Sequence, residues 1–256
     1  MISTGFKDLD RVIGGLKKGK LYALATFNFD HITAEYFALN MVANTQRPAF
    51  FYSKLMESVR MTVPAFAGMP LFHVGDMDDD DRPASQFPRE GSFWGREAAG
   101  SAEELCDRFE SHHRNTPFEL AVFAIGNRDE NDRTTVRLAA SRAIYGTETQ
   151  RAGFAARQRE TAHRVGLFRT LAKKHHIPVI LIGRFDDWKS RTPPEDFLKP
   201  GDQLALLETA ENILLLSRAG TRSICDFELT VFKHFLRPEK LPVYQYPRET
   251  AAGNRV

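Results

Sequence analysis

Residues 20–42 read KLYALATFNFDHITAEYFALNMV and place an apolar strand, a short loop and a helix in that order. The run 20–25 is too uniformly apolar for a strand that faces water on one side, which indicates a sheet buried on both faces. A strand followed directly by a helix is the repeating unit of α/β folds. After the loop, one buried helix face is predicted from apolar residues at helical spacing, namely Ala34, Phe37, Ala38, Met41 and Val42.

The same alternation continues along the chain. A second buried helix face is predicted around 165–172, and Pro178 directly after it marks the entry to another strand. The sequence therefore predicts an α/β fold with a mostly parallel twisted sheet and helices on both faces. Surface loops are predicted at 76–100 and 184–203, which are rich in Asp and Pro. Further strands are predicted at 49–52, 71–74, 120–125, 179–182, 212–216 and 227–232.

Bulk composition limits the classes of function. A chain of 256 residues has room for one large domain, and 1–256 is predicted to be a single domain. A net charge of +2 neither requires nor excludes a nucleic-acid partner. No apolar run approaches the roughly 18 residues of a membrane helix, and the opening residues lack the parts of a secretory signal, so we expect a cytoplasmic protein with no membrane partner. Cys106 and Cys225 lie far apart without CxxC spacing, which predicts neither a disulfide framework nor a metal site.

A second kind of signal comes from motifs spread along the whole chain. They are STGFKDLDRVIGGLKKGKLYALA at 3–25, PAFFYSKLMES at 48–58, PLFHVGD at 70–76, and the segments 101–125, 157–185, 204–218 and 227–235. In this order they resemble the RecA-type motor domain of DnaB-family replicative helicases, with its TGF-x-x-LD-x-x-x-GG-L opening and its FFSLEMS strand. The resemblance implies a RecA-like fold over the whole length, without the amino-terminal helical domain of the full-length helicases.

The loop after the first predicted strand departs from that family's pattern. The resemblance implies GxxxxGK[ST] here, in which backbone amides cradle phosphate, the lysine neutralises it and the hydroxyl holds magnesium. Residues 25–33 read ATFNFDHIT instead, so no glycine remains, Ile32 stands in place of the lysine, and only Thr33 fits. Asp30 adds negative charge where the phosphates would lie. We therefore expect no ATP binding in the family's mode.

At the other catalytic positions implied by the resemblance, the family's residues are also replaced by residues that do not fit the same role. Ala124 stands where the Walker B aspartate would help to hold magnesium, and Arg184 takes the place of the sensor glutamine. Lys54 falls at or beside the general-base glutamate, with Glu57 as the alternative after a small shift. Phe235 stands in place of the arginine finger. The vestigial nucleotide-binding residues are Thr33, Lys233 and Arg237.

Basic residues in two predicted loops indicate a further kind of site. The family's hexamers hold single-stranded DNA with loops that project into a central channel, and an aromatic residue among basic ones can stack on a base. Acidic residues share the second loop, so a solvated mixed-charge loop is the alternative interpretation. The candidate DNA-binding residues are Arg128, Arg133, Arg184, Trp188, Lys189, Arg191 and Lys199.

Taken together, the sequence favours a catalytically inactive, DnaB-helicase-like protein that serves as a binding or assembly scaffold linked to DNA replication or mobile elements. The expected partners are further copies of the chain or another protein, and no cofactor is expected. Two alternatives stay open. One is a divergent ATP-dependent helicase or ATPase with a rebuilt site for ATP and magnesium, and the other is a non-catalytic binder of single-stranded DNA.

Overall fold

The computed structural model describes residues 1–27, 31–53, 71–75, 92–95, 101–124, 148–184, 209–220, 225–232 and 238–246. Four helices lie within these ranges: α1 Lys7–Ile13, α2 His31–Thr45, α3 Ala102–Asn115 and α4 Glu148–His175. Nine strands lie there as well: β1 Leu21–Phe27, β2 Ala49–Ser53, β3 Leu71–Val74, β4 Phe93–Gly95, β5 Leu120–Ala124, β6 Val179–Arg184, β7 Asn212–Arg218, β8 Phe227–Phe232 and β9 Glu239–Tyr246.

The described strands form one sheet in the order β3-β9-β8-β7-β1-β6-β5-β2-β4. From β7 to β4 every pairing is parallel, whereas β8, β9 and β3 are added at the other end by antiparallel pairings. Parallel strands must be joined by crossovers, and α2 provides the crossover from β1 to β2. The predicted α/β fold with a mostly parallel sheet is confirmed.

Helices cover both faces of the sheet. Along β1 the side chains alternate, so that Tyr22 and Leu24 pack in the layer with α1 and α2, whereas Leu21 packs in the layer with α3 and α4. On the α3 and α4 side, Phe50 and Phe109 meet edge to face with ring centroids 5.2 Å apart. Burial on both faces explains why the strand sequences are almost continuously apolar.

The turn from α1 into β1 depends on glycine. Gly14 ends α1 in the left-handed conformation with a φ of 71°, and its N–H donates to the carbonyl of Asp10 at 2.8 Å. Gly15 follows with a φ of 70°, where a Cβ would lie 3.0 Å from the carbonyl oxygen of Ile2. The close approach allows Ile2 and Leu16 to exchange backbone hydrogen bonds of 2.8 and 2.7 Å, which tie the start of the chain to the segment that leads into β1.

All seven predicted strands are present, and the loop predictions need two corrections. β4 lies inside the predicted loop 76–100, and Arg184 is the last residue of β6 rather than the first of the loop 184–203. β9 was not predicted, because Pro242 and alternating exposure hide a strand that pairs on both sides. The other residues of the two predicted loops, apart from Ser92, lie outside the described ranges.

Candidate functional site

The candidate site lies at the edge of the sheet where β1, β2, β5 and β6 end. Because these strands are parallel, their carboxyl ends meet at one edge, and ligands of open α/β sheets bind outside that edge. The chain leaves β1 towards β2 on one side, while β7 lies on the other side of β1, so the strand order reverses at β1. The amino-terminal end of α2 lies at this point, with three residues between the end of β1 and the start of the helix.

The first turn of α2 contains both residues that stand in place of the family's lysine and hydroxyl. Ile32 is the second residue of the helix and Thr33, which is half-buried, is the third. The first turn carries no acidic residue, so its backbone N–H groups keep the partial positive charge of a helix start. What the turn lacks is the lysine that the resemblance implies beside a phosphate, since position 32 is isoleucine.

Beyond its first turn, α2 is more deeply buried than predicted. The spacing of its apolar residues predicts one buried face, but every residue from 34 to 43 except Tyr36 is buried. The helix packs against β1, β6 and β5 beneath it and against β3 at its side. Polar residues within this stretch are therefore buried too, and Glu35 and Asn40 are 2% and 5% exposed.

Glu35 is the main residue that the sequence reasoning missed. Its carboxylate accepts a hydrogen bond from the hydroxyl of Ser53, the last residue of β2, and both side chains are buried. Ser53 is fully buried, so its hydroxyl is out of reach of a substrate, which argues against a nucleophilic role. The sequence contained a signal for the burial of Glu35, because this charged residue directly follows Ala34 in a helix whose neighbouring turns are apolar.

Ala124 lies beside this pair. It is level with Ser53 across the β2–β5 pairing, it ends β5, and it packs in the layer that faces α2. A methyl group therefore occupies the position that resemblance assigns to a magnesium-binding aspartate. The carboxylate nearby, Glu35, comes from α2 instead of β5, and it is bonded to a serine within the core.

Thr26 adds a buried hydroxyl next to the same edge. It stands level with Arg184 of β6 and Leu216 of β7, and it is 1% exposed. Its hydroxyl oxygen has no hydrogen-bond partner among the described residues. The backbone of Arg184 ends β6 here, whereas its side chain lies outside what the structure describes. The edge thus combines hydroxyl groups and one buried carboxylate.

The other predicted site residues fall outside the described ranges. This holds for three replaced or vestigial positions near the end of β8, for the alternatives at the end of β2, and for the DNA-binding candidates except Arg184. They are Lys54, Glu57, Arg128, Arg133, Trp188, Lys189, Arg191, Lys199, Lys233, Phe235 and Arg237.

Two further features bear on ligands and surroundings. Among the described residues, no group of three or more His, Cys, Asp or Glu side chains is placed to hold a metal ion. In the same part of the chain, none of the helices combines the length and the apolar character needed to cross a membrane, and this includes the 28-residue α4.

Comparison with solved structures identifies the fold. The chain is similar to the crystal structure of the RadB recombinase, with a TM-score of 0.55 over 99% of this chain and 98% of that chain. The chain has a RecA-like fold. Sequence identity to RadB is 19%, so the likeness extends to the fold alone. No family model matches the sequence, and no curated protein matches it. In total, 423 solved chains match, and a fold does not by itself select one activity.

Proposed function

We propose that this chain is a RecA-fold scaffold that neither binds nor hydrolyses ATP in the manner of the DnaB-type helicases it resembles. In this proposal it acts by assembling with further copies of itself or with a protein partner, in DNA replication or in a mobile element. The observation that carries the proposal is the buried methyl group of Ala124 against α2, at the position where the resemblance implies a metal-binding carboxylate.

Loss of that carboxylate weakens magnesium binding directly. Magnesium in phosphoryl-transfer sites is held by one or two protein oxygens together with the phosphates, and it neutralises charge as the reaction proceeds. A methyl group offers no oxygen. Thr33 could supply a single hydroxyl from the first turn of α2, which leaves the ion with one protein ligand where the family provides two.

Charge at the edge opposes a nucleotide as well. Ile32 supplies no cation in the first turn of α2, and the carboxylate of Glu35 lies in the next turn of the same helix. This buried carboxylate adds negative charge close to the start of α2, which disfavours the negative phosphates of a nucleotide. Position 32 supplies no lysine to offset this repulsion.

Calorimetric titration of ATP and a slowly hydrolysed analogue, with magnesium, tests the proposal. We expect no binding at millimolar nucleotide. Binding tighter than about 100 μM, or roughly −5.5 kcal/mol, overturns the proposal and supports a rebuilt ATPase site. The matched variant is Thr33→Ala, because turnover that disappears with this hydroxyl identifies the α2 edge as the site, whereas unchanged turnover points to a contaminating ATPase.

A further inference from the structure

Cationic residues gather at the opposite edge of the sheet, where the parallel strands begin. Each stretch that leads into β1, β2, β5 or β6 carries at least one of them, and because those strands are parallel their starts meet at a single edge. We call this surface the basic edge. It consists of Lys17, Lys18, Lys20, Arg47, Arg114, Lys173 and Lys174.

The acidic residues beside the basic edge are already paired. Glu211 accepts from both Lys17 and Lys20, with nitrogen to oxygen distances of 2.7 and 3.1 Å. Glu110 lies 2.6 Å from Lys174. Glu119 likewise pairs with an arginine, Arg47, at 3.4 Å. Lys17, Lys20, Lys174 and Arg47 therefore contribute little free charge.

Three cations remain without an acidic partner among the described residues, namely Lys18, Lys173 and Arg114. All three are exposed. The loop of Lys18 packs on the end of α4, because the N–H of Gly19 donates to the carbonyl of Ile177 at 3.1 Å and a Cβ at Gly19 would lie 3.9 Å from the Cα of Lys173.

Arg114 belongs to the same surface through the ends of α3 and α4. The rings of His113 and His175, one on each helix, meet edge to face with centroids 4.7 Å apart. Arg114 follows His113 directly, and its Nε donates to the carbonyl of Glu110, which leaves the guanidinium charge uncompensated. The three unpaired cations thus stand on adjoining loops and helix ends.

We propose that the basic edge binds the phosphodiester backbone of nucleic acid without reading its sequence. Unpaired, exposed cations on neighbouring elements are the feature that phosphate backbones recognise, and binding of this kind releases counterions. Met1 is the only exposed large hydrophobic residue among the described ones, so the edge offers no aromatic platform for bases. The proposal does not rest on the function proposed above, and it concerns the edge opposite to the end of β6, where the DNA-binding candidate Arg184 lies.

The same observation favours nucleic acid over a membrane. Proteins that lie on anionic membranes combine basic residues with a large apolar face that enters the lipid. Among the described residues, Met1 alone is a large exposed hydrophobic residue, which supplies very little such area. Anionic vesicles therefore serve as the competing probe in the test.

The test is fluorescence anisotropy of a fluorescein-labelled single-stranded oligonucleotide across a salt series, with the whole chain. We expect Lys18→Ala/Lys173→Ala to weaken binding roughly tenfold at about 50 mM salt and to reduce the slope of log affinity against log salt by about 1.4, since each phosphate contact on a single strand contributes about 0.7. The matched control is Lys7→Ala/Arg159→Ala, which removes two exposed charges elsewhere, Arg159 lying about four helical turns before Lys173.

Every outcome decides the proposal. A loss with Lys18→Ala/Lys173→Ala that exceeds the loss with the control supports it. Equal affinity of the two double variants overturns it, as does a chain that ignores the oligonucleotide at low salt. Binding lost only with Arg128→Ala/Arg133→Ala assigns the contact to the predicted loops and also overturns it. Retention on anionic vesicles without oligonucleotide binding overturns it in favour of a membrane.

Discussion

The acidic residues on the two faces of the sheet differ in their burial and in their partners. On the α2 face, Glu35 is buried and bonded to the buried Ser53. On the other face, Glu103 and Glu110 of α3 stand near the surface and pair with His163 and Lys174 of α4. Surface pairs of the second kind contribute little to stability, whereas a buried carboxylate is costly to leave unpartnered.

This difference in burial indicates which substitutions will change the stability of the protein most. The α2 face includes the carboxyl ends of the parallel strands. At that edge the core encloses one carboxylate, that of Glu35. The charged side chains on the α3 and α4 face are accessible to water. Substitutions of similar chemistry should therefore have large effects on the first face and small effects on the second.

The largest effect is expected from Ala124→Asp. A second carboxylate at the end of β5 would be buried beside Ser53 and close to Glu35, which costs more than about 3 kcal/mol of unfolding free energy. Urea unfolding measures this loss, with Ala124→Asn as the control of nearly equal volume and no charge. Equal stability of the Asp and Asn variants at neutral pH would contradict the closed, carboxylate-bearing edge described above.

A smaller effect is expected from Ser53→Ala. The substitution removes the hydroxyl that donates to Glu35 and leaves the buried carboxylate with one partner fewer, which costs about 1–3 kcal/mol. Ser217→Ala is the matched control on β7, because its hydroxyl donates to a neutral carbonyl, that of Glu228, at 3.3 Å. The comparison fails if urea unfolding gives Ser217→Ala the same or a greater loss.

The smallest effect on stability is expected from protonation of His113, which lies on the α3 and α4 face. Burial lowers the pKa of His113, the nearby His175 lowers it further, and Glu110 raises it. Nδ1 of His113 accepts the N–H of Phe118 at 3.0 Å, so the neutral ring is the form that fits. The unfolded chain then binds more protons, and stability is full above about pH 6.5 and declines as the pH falls through the lowered pKa.

Comparison of unfolding free energies at about pH 7.5 and 5.5 checks this expectation. His113→Asn keeps an acceptor for Phe118 and removes the titrating ring, so we expect a shallower decline than in the parent chain. Glu110 also has a lowered pKa, caused first by its hydrogen bond with Lys174, but the stability it contributes is lost below about pH 4.5 and outside this window. An unchanged decline in His113→Asn would show that the helix pair is not the source.

Much of the fold was predictable because its elements are locally encoded. Uniformly apolar runs such as 20–25 predicted buried parallel strands, and all seven predicted strands exist. β4 and β9 could not be read in this way. β4 has three residues in a stretch rich in Asp and Pro, and β9 contains Pro242 and alternates in burial, so only pairing with β2, β3 and β8 reveals them.

Within the candidate site as well, some features were predictable from the sequence and others were not. The resemblance implied that Ile32 and Ala124 replace nucleotide-binding residues and that Thr33 alone fits the motif, and these roles stay predictions. The bond between Glu35 and Ser53 had no local signal, because the two residues are 18 apart and belong to a helix and a strand.

By itself, the sequence determined the alternation of strands and helices and the residue types that line the carboxyl edge, since apolar periodicity and side-chain chemistry are local properties. Only the tertiary structure decided that α2 is buried almost all round, that Ser53 contacts Glu35 beside Ala124, and that Lys18, Lys173 and Arg114 lie at the opposite edge. These contacts depend on the strand order, which places β2 beyond β5 and β6 and brings the starts of β1, β2, β5 and β6 to one edge.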